Sequence, residues 1–209
     1  MEEYLNEKEQ WERVLAWLRE QGPWMVGGVA VAMAAFGGWR YWQNHVEQRN
    51  LAAAASYQQV MDAFSHNDLN GGIQLADGLI KSYPRTAYAD QANLAVARIQ
   101  VETRQLDQAA ARLKQVLDTT RDAELALVTR LRLARVQLAQ GNADDAIKTL
   151  DAAEPGAFAA RYAEVRGDAL LSKGDRAGAL KAYREARGSA ASTLDTGLLD
   201  LKIGELASS

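Results

Sequence analysis

The sequence predicts an all-α protein in which a single N-terminal transmembrane helix is followed by a solenoid of repeated helix pairs and a C-terminal capping helix. Three observations lead to this prediction. A run of 19 uncharged residues separates Glu20 from Arg40, the rest of the chain is rich in alanine and leucine with few prolines, and parts of it repeat one another. Helix-forming residues dominate, so we expect residues 1–22, 23–42 and 43–209 to form three helical regions.

The composition excludes several classes of function. The chain has 209 residues, a formal net charge of −3 and no cysteine. Phosphate binding requires clustered Lys and Arg, so no nucleic-acid partner is expected. The absence of cysteine excludes disulfides, thiolate zinc sites and thiol nucleophiles. The two histidines, His45 and His66, have no carboxylates at metal-ligand spacing. We therefore expect no metal, no cofactor and no enzymatic activity.

The uncharged run has the length and the flanks of a membrane span. It reads QGPWMVGGVAVAMAAFGGW, close to the roughly 20 residues that a helix needs to cross the bilayer core. A buried globular helix is the alternative, but a glycine-rich helix is poorly stable in water. Aromatic side chains, which favour membrane interfaces, gather near its two ends: Trp17, Trp24, Trp39, Tyr41 and Trp42.

A cleaved signal peptide is a second alternative, because the Ala-Met-Ala of residues 32–34 fits an A-x-A cleavage site after an apolar run. Residues 1–20 carry six acidic and three basic side chains, whereas a signal peptide begins with a basic stretch. We therefore expect a retained anchor. Three basic residues precede the run, and Arg40 and Arg49 follow it, which slightly favours a cytoplasmic N-terminus.

Two features of the membrane region leave alternatives open. Residues 1–22 are expected to form a short acidic amphipathic helix that ends in a break at Pro23. Its apolar stripe either rests on the membrane interface or binds a partner. Within the span, Ala30, Ala34 and Gly38 recur every four residues, a spacing that lets a second helix approach closely. That face either packs on a partner helix or contacts lipid.

The remainder of the chain contains internal repeats. Leu94–Leu113 and Leu131–Leu150 share seven identities in twenty positions at an offset of 37, and a further offset of 33 carries Gly141 onto Gly174. Small residues recur where two antiparallel helices would meet, with a large residue one turn later. This is the pattern of tetratricopeptide repeats. The recurring residues are Ala97, Ala134 and Gly167 on first helices, Ala109, Ala146 and Ala179 on second helices, and the large Leu113, Leu150 and Tyr183.

The same offsets predict the turns and the two ends of the array. Gly141 and Gly174 fall between the helices of a pair, where positive φ is favoured, whereas Arg104 at the equivalent place is expected to weaken that unit. Ala52–His66 and Leu69–Tyr83 are predicted to form a divergent first pair. A terminal helix should cap the last exposed face of a solenoid. Three leucines mark it here: Leu194, Leu198 and Leu201.

The repeat pattern also predicts a binding surface. First helices line the concave face of such arrays, and Arg98 and Arg135 occupy the same repeat position. These side chains either pair with carboxylates or carbonyls of a partner segment, or belong to a solvated face with local salt bridges. The residues predicted to project onto this face are Arg98, Leu131, Arg135, Leu138, Asp168 and Leu171.

Three stretches carry a resemblance to a known family. They are the Gly-Trp-Arg-Tyr-Trp sequence at residues 38–42, the Leu-Arg-Leu-Ala-Arg-Val-Gln sequence at 131–137, and the segment 166–175. With the acidic start and the repeats, they resemble the YfgM-type ancillary subunits of the bacterial Sec translocon.

That resemblance implies a non-catalytic, single-pass inner-membrane protein with a cytoplasmic N-terminus and a periplasmic repeat domain. It also implies association with the SecYEG translocon and with a membrane-anchored periplasmic chaperone of the peptidyl-prolyl isomerase type, helping secreted client proteins away from the channel. A scaffold for another cell-envelope assembly process is the alternative.

Overall fold

The computed structural model describes the backbone of residues 2–189 and 196–207, and these residues are helical apart from short connections. The side chains of residues 2–10, 13–14, 18–23, 25–26 and 29–30 are outside the description. The chain divides into two compact units, residues 1–51 and 52–209. The second unit begins later than the predicted start of the repeats at residue 43.

The first unit is helical throughout its described residues. Helix α1 spans Glu2–Ser65 and supplies every described residue of this unit. It does not break at Pro23, contrary to expectation; proline removes one backbone hydrogen bond, and the helical backbone continues on both sides of it. Ala34 and Gly38 are exposed, whereas the side chain of Ala30 lies outside the described set. By hydropathy, none of the described helices combines the length and apolar character needed to cross a membrane.

Within residues 52–189 and 196–207, the described part of the second unit contains four antiparallel helix pairs and a ninth helix. The last turns of α1 pair with α2, α3 pairs with α4, α5 with α6, and α7 with α8. This confirms the predicted all-α repeat fold, including the divergent first pair. The helices after α1 are α2 (Leu69–Ser82), α3 (Ala87–Glu102), α4 (Leu106–Thr119), α5 (Ala123–Ala139), α6 (Ala143–Asp151), α7 (Ala159–Ser172), α8 (Arg176–Ser189) and α9 (Thr196–Ala207), with a 3₁₀ turn at Gly156–Phe158.

All four pairs use the same turn between their helices. One residue adopts positive φ in each: Asn67 and Arg104 at 62°, Gly141 at 84° and Gly174 at 83°. The next residue then donates its N–H to the carbonyl five positions earlier, as Gln105 does to Gln100 at 2.7 Å. Arg104 therefore keeps the turn geometry despite its side chain, at a backbone cost of about 1–2 kcal/mol.

The predicted small positions are the points of closest packing. The alanines at these positions are at most 2% exposed, and the three predicted large residues are also at most 2% exposed. Gly167 lies against the ring of Tyr183, and a methyl group built on Gly167 would overlap that ring. In the first pair the roles are exchanged, since Gly72 on the second helix lies under the ring of Phe64 on the first. The first and fourth pairs thus join a glycine to an aromatic ring, and in the second and third pairs the small and large residues belong to one buried cluster.

The capping helix is present, but it packs through a different face from the one predicted. Leu199 is fully buried against α7 and α8, with Ile203 and Leu206 beside it. Leu198 and Leu201 are exposed, and Leu194 lies outside the described residues. Leu199, Ile203 and Leu206 stand at i, i+4 and i+7, the same helical spacing as the three predicted leucines, so packing against α7 and α8 decides which stripe is buried.

Gly167→Ala should destabilise the repeat unit, since the new methyl group must displace the Tyr183 ring in a filled core. We expect a loss of roughly 1–3 kcal/mol, measured by urea unfolding followed by circular dichroism. Gly188→Ala is the matched control, because nothing lies within 4 Å of its Cβ position, and it should be neutral or stabilising by up to about 1 kcal/mol. Equal stability of the two variants would contradict the proposed contact.

Candidate functional site

A groove of about 610 Å³ lies on the side of the second unit formed by the first helices of the repeats. The end of α1 contributes Tyr57 and Met61, α3 contributes most of the floor, and α5 forms the opposite wall. Leu94, Ala97, Leu113 and Val136 are buried beneath it as part of the core. The remaining lining residues are Gln91, Ala95, Arg98, Val101, Glu102, Leu106, Arg132, Arg135 and Ala139.

Three guanidinium groups and one carboxylate line this groove. Arg98 Nε donates a hydrogen bond of 2.8 Å to Glu102 Oε1 on the same helix, and this bond and its charge raise the pKa of Arg98. Arg135 lies 4.0 Å from the Glu164 carboxylate, which is outside the groove. Arg132 is exposed and has no ion pair within the described part of the chain. The groove wall is therefore positively charged although the whole chain is negative.

The predicted surface residues divide into two sets. Arg98 and Arg135 line the groove together, as predicted. Leu131 does not project from the surface, because α7 covers it with Tyr162 and Val165, leaving it 4% exposed. Leu138 is partly buried against the same core. Neither leucine lines the groove.

Asp168 and Leu171 lie on α7, beyond the groove. Asp168 accepts hydrogen bonds of 2.7 Å from the Tyr183 hydroxyl and from Lys202 Nζ. Lys202 also donates to Glu164 at 3.2 Å. Leu171 is 37% exposed. The carboxylates on this part of the face are thus already engaged by the capping helix.

The same cluster shifts two pKa values. Burial lowers the pKa of Lys202, but its hydrogen bonds to Asp168 and Glu164 outweigh this effect, and the net shift is upward. Burial and the hydrogen bond to Asp168 raise the pKa of Tyr183. Lys202 therefore remains charged at neutral pH and links the capping helix to α7.

Apart from Arg98 and Arg135, the lining residues were not predicted for this surface, among them Tyr57, Met61 and Arg132. The repeat offset held the signal for two of them, since subtracting 37 from Leu94 and Arg98 gives Tyr57 and Met61. Arg132 precedes Arg135 by about one helical turn and so lies on nearly the same face. The groove offers apolar contacts and guanidinium donors, which suit recognition of a polypeptide segment with carboxylates. Within the described residues, no group of three or more His, Asp or Glu side chains could hold a metal ion.

The chain matches known proteins over nearly its whole length. A family model described as a tetratricopeptide repeat-like domain covers residues 15–208. The chain is 37% identical over 207 residues to the Ancillary SecYEG translocon subunit of Escherichia coli (strain K12), covering 99% of this chain and 100% of that one. It belongs to this family. A member from Aggregatibacter actinomycetemcomitans is 30% identical over 202 residues, covering 97% of this chain and 98% of that one.

Solved structures with the same fold are more distant in sequence. A crystal structure of MamA has a TM-score of 0.57 at 16% identity, covering 70% of this chain and 81% of that one. MamA from Desulfovibrio magneticus RS-1 has a TM-score of 0.56 at 12% identity, covering 75% of this chain and 89% of that one. This likeness concerns the helical repeat fold alone.

Lys202→Met should weaken the docking of α9, because Glu164 and Asp168 lose their ammonium partner. We expect a loss of about 1–2 kcal/mol at neutral pH, between the values typical of exposed and buried pairs. Lys181→Met is the control, since Lys181 is exposed on α8.

The pH dependence of that loss has a defined sign. The folded pKa of Lys202 is raised, so its stabilising effect is complete below the unfolded pKa of about 10.4 and disappears as the pH rises through the folded value. The difference in urea midpoint between wild type and Lys202→Met should thus be constant from neutral pH to about pH 10 and shrink above it. A difference that grows with pH would contradict this assignment.

Proposed function

We propose that this protein is a non-catalytic, membrane-anchored interaction protein that associates with the SecYEG translocon. The observation that carries the proposal is its full-length similarity to proteins named ancillary SecYEG translocon subunits. The groove on the repeat unit supports an interaction role, because its lining joins apolar surface to guanidinium groups. Its residues include no nucleophile paired with a general base.

The proposed anchor is the segment 23–42, with residues 1–22 in the cytoplasm and the repeat unit in the periplasm. Every described side chain from residue 31 to 50 is exposed, and Val31, Met33 and Phe36 are each more than half exposed. So many exposed apolar side chains are unfavourable in water, and the lipid bilayer would bury them. Trp24, Trp39 and Trp42 near the ends fit the headgroup regions.

The groove is the proposed site for a protein partner, with Arg98 and Arg135 as ion-pairing residues. The partner that fits the family resemblance is a periplasmic chaperone of the peptidyl-prolyl isomerase type, which would receive secreted clients near the channel. Anchoring to the membrane raises the local concentration of the groove, so even weak contacts become effective there. Ala30, Ala34 and Gly38 are the proposed face for packing against another membrane helix.

The topology can be tested by labelling single cysteines, since the chain has none of its own. Glu154→Cys, in the exposed connection after α6, should react with a membrane-impermeant thiol reagent in intact spheroplasts. Glu12→Cys should react only after lysis. The reverse pattern would overturn the orientation, and equal labelling of both sites before lysis would overturn the membrane span.

Association with the translocon can be tested by copurification of the tagged full-length chain from membranes in mild detergent. SecY should be enriched about tenfold over an equally expressed, unrelated single-span protein with the same tag. Recovery of a different cell-envelope assembly without SecY would favour the alternative scaffold role and overturn the proposal.

The proposed helix-packing face has a matched control within the span. Gly38→Leu should reduce the recovery of SecY, because a large side chain blocks close approach of a second helix. Gly37→Leu points about 100° away around the helix and should leave recovery unchanged. The same loss in both variants would remove this face from the proposal.

A further inference from the structure

We propose that the segment bound in the groove is acidic and amphipathic, with apolar side chains along one side and carboxylates that meet Arg98, Arg132 and Arg135. This inference rests on the proposed interaction function and adds the chemistry of the partner. Its basis is the order of side chains along the groove, the charge of the groove wall and the ion pairs that the three arginines make.

The apolar contacts of the groove involve Met61 at the end of α1 and Val101 on α3. Met61, Arg98, Arg135 and Asp168 occupy equivalent positions on the four successive first helices, since they are separated by 37, 37 and 33 residues. Met61 is 42% exposed and Val101 is 38% exposed, and both line the groove. An apolar side of the bound segment would cover them and remove that surface from water.

The positive charge of the groove wall favours a partner segment with negative charge. Three arginines face a single carboxylate, Glu102, in a protein whose net charge is −3. A basic segment would bring like charges together, which costs free energy at an interface, whereas an acidic segment is attracted and oriented. Arginine also presents a planar fork of donors that matches a carboxylate.

Two of the three arginines already hold carboxylates of the protein itself. Arg98 binds Glu102 on its own helix, where both side chains are more than half exposed. Arg135 lies at the outer limit of an ion pair with Glu164, at 4.0 Å. Such contacts contribute little to stability, so an entering carboxylate can replace them at small cost. Arg132 has no such pair among the described residues and is open to the first contact.

The bound segment should end before α7. There, Glu164 and Asp168 replace the leucine and the arginine found at the equivalent positions of α5, and both are engaged by Lys202 of the capping helix. An acidic segment gains nothing from these paired carboxylates. The docking surface therefore lies across α1, α3 and α5.

The test uses the full chain in lipid nanodiscs and a fluorescent synthetic peptide of about five helical turns, with leucines on one side and glutamates along the edges. A second peptide replaces every glutamate with lysine, and a third has the first composition in scrambled order. Fluorescence anisotropy, corrected with empty nanodiscs, measures binding. The glutamate peptide should bind at least about tenfold more tightly than the other two, and its affinity should fall with added salt.

Variants of the protein identify the contacts. Arg98→Glu combined with Arg132→Glu should weaken the glutamate peptide about tenfold or more, whereas the control Lys181→Glu with Arg184→Glu on α8 should change nothing. Met61→Ser with Val101→Ser should also weaken binding, in contrast to Leu75→Ser, an exposed leucine on α2 outside the groove. Circular dichroism of each variant checks that it is folded, and Arg98→Gln with Arg132→Gln replaces the charge reversals if they unfold the protein.

Equal binding of the glutamate and lysine peptides, or unchanged binding by the folded arginine variants, would overturn the proposal. Copurification with SecY is measured separately on the same wild-type chain, so the two proposals fail independently. Loss of SecY with retained peptide selectivity would overturn only the proposed function. Retained SecY without selectivity would overturn only the acidic partner.

Discussion

The close approach of the two helices in each repeat, at one small residue packed under one large residue, is the constraint on which the rest of the structure depends. Ala97 and Ala109 allow it in the second pair, where Leu113 fills the adjacent space. Because dispersion contacts fade quickly as surfaces separate, this fit determines how the pairs stack. Stacking in turn places α1, α3 and α5 side by side, and the groove is the surface that these first helices leave open.

The repeat period made most of this fold predictable. Small and large residues at offsets of 37 and 33 identified the helix pairs, and all of the predicted alanine contacts are buried. The period did not predict that Arg104 would keep the positive φ of its turn. The hydrogen bond from the Gln105 N–H to the Gln100 carbonyl in that turn, together with the packing of α3 on α4, outweighs the local preference of one arginine.

The groove was less predictable than the fold, because the exposure of a side chain depends on which other helix packs against it. Leu131 occupies the same repeat position as Leu94 and both are buried, but α7 covers Leu131 with Tyr162 and Val165, whereas Leu94 lies in the groove floor. The face of α9 was misassigned for the same reason. Leu198 and Leu201 satisfy a helical spacing, but Leu199, Ile203 and Leu206 do so as well, and only tertiary packing decides between the two stripes.

Charge, rather than shape, divides the face formed by the first helices into two parts: the groove across α1, α3 and α5, and the surface of α7 that the capping helix covers. The backbone repeats across all four pairs, but the residue at one equivalent position changes from Met61 to Arg98 and Arg135 and then to Asp168. The first three positions leave apolar and positive groups facing the groove. The fourth presents a carboxylate, and α9 neutralises it with Lys202. The capping helix thus completes the core. It also neutralises Asp168, the residue among these four equivalent positions whose charge would repel an acidic partner.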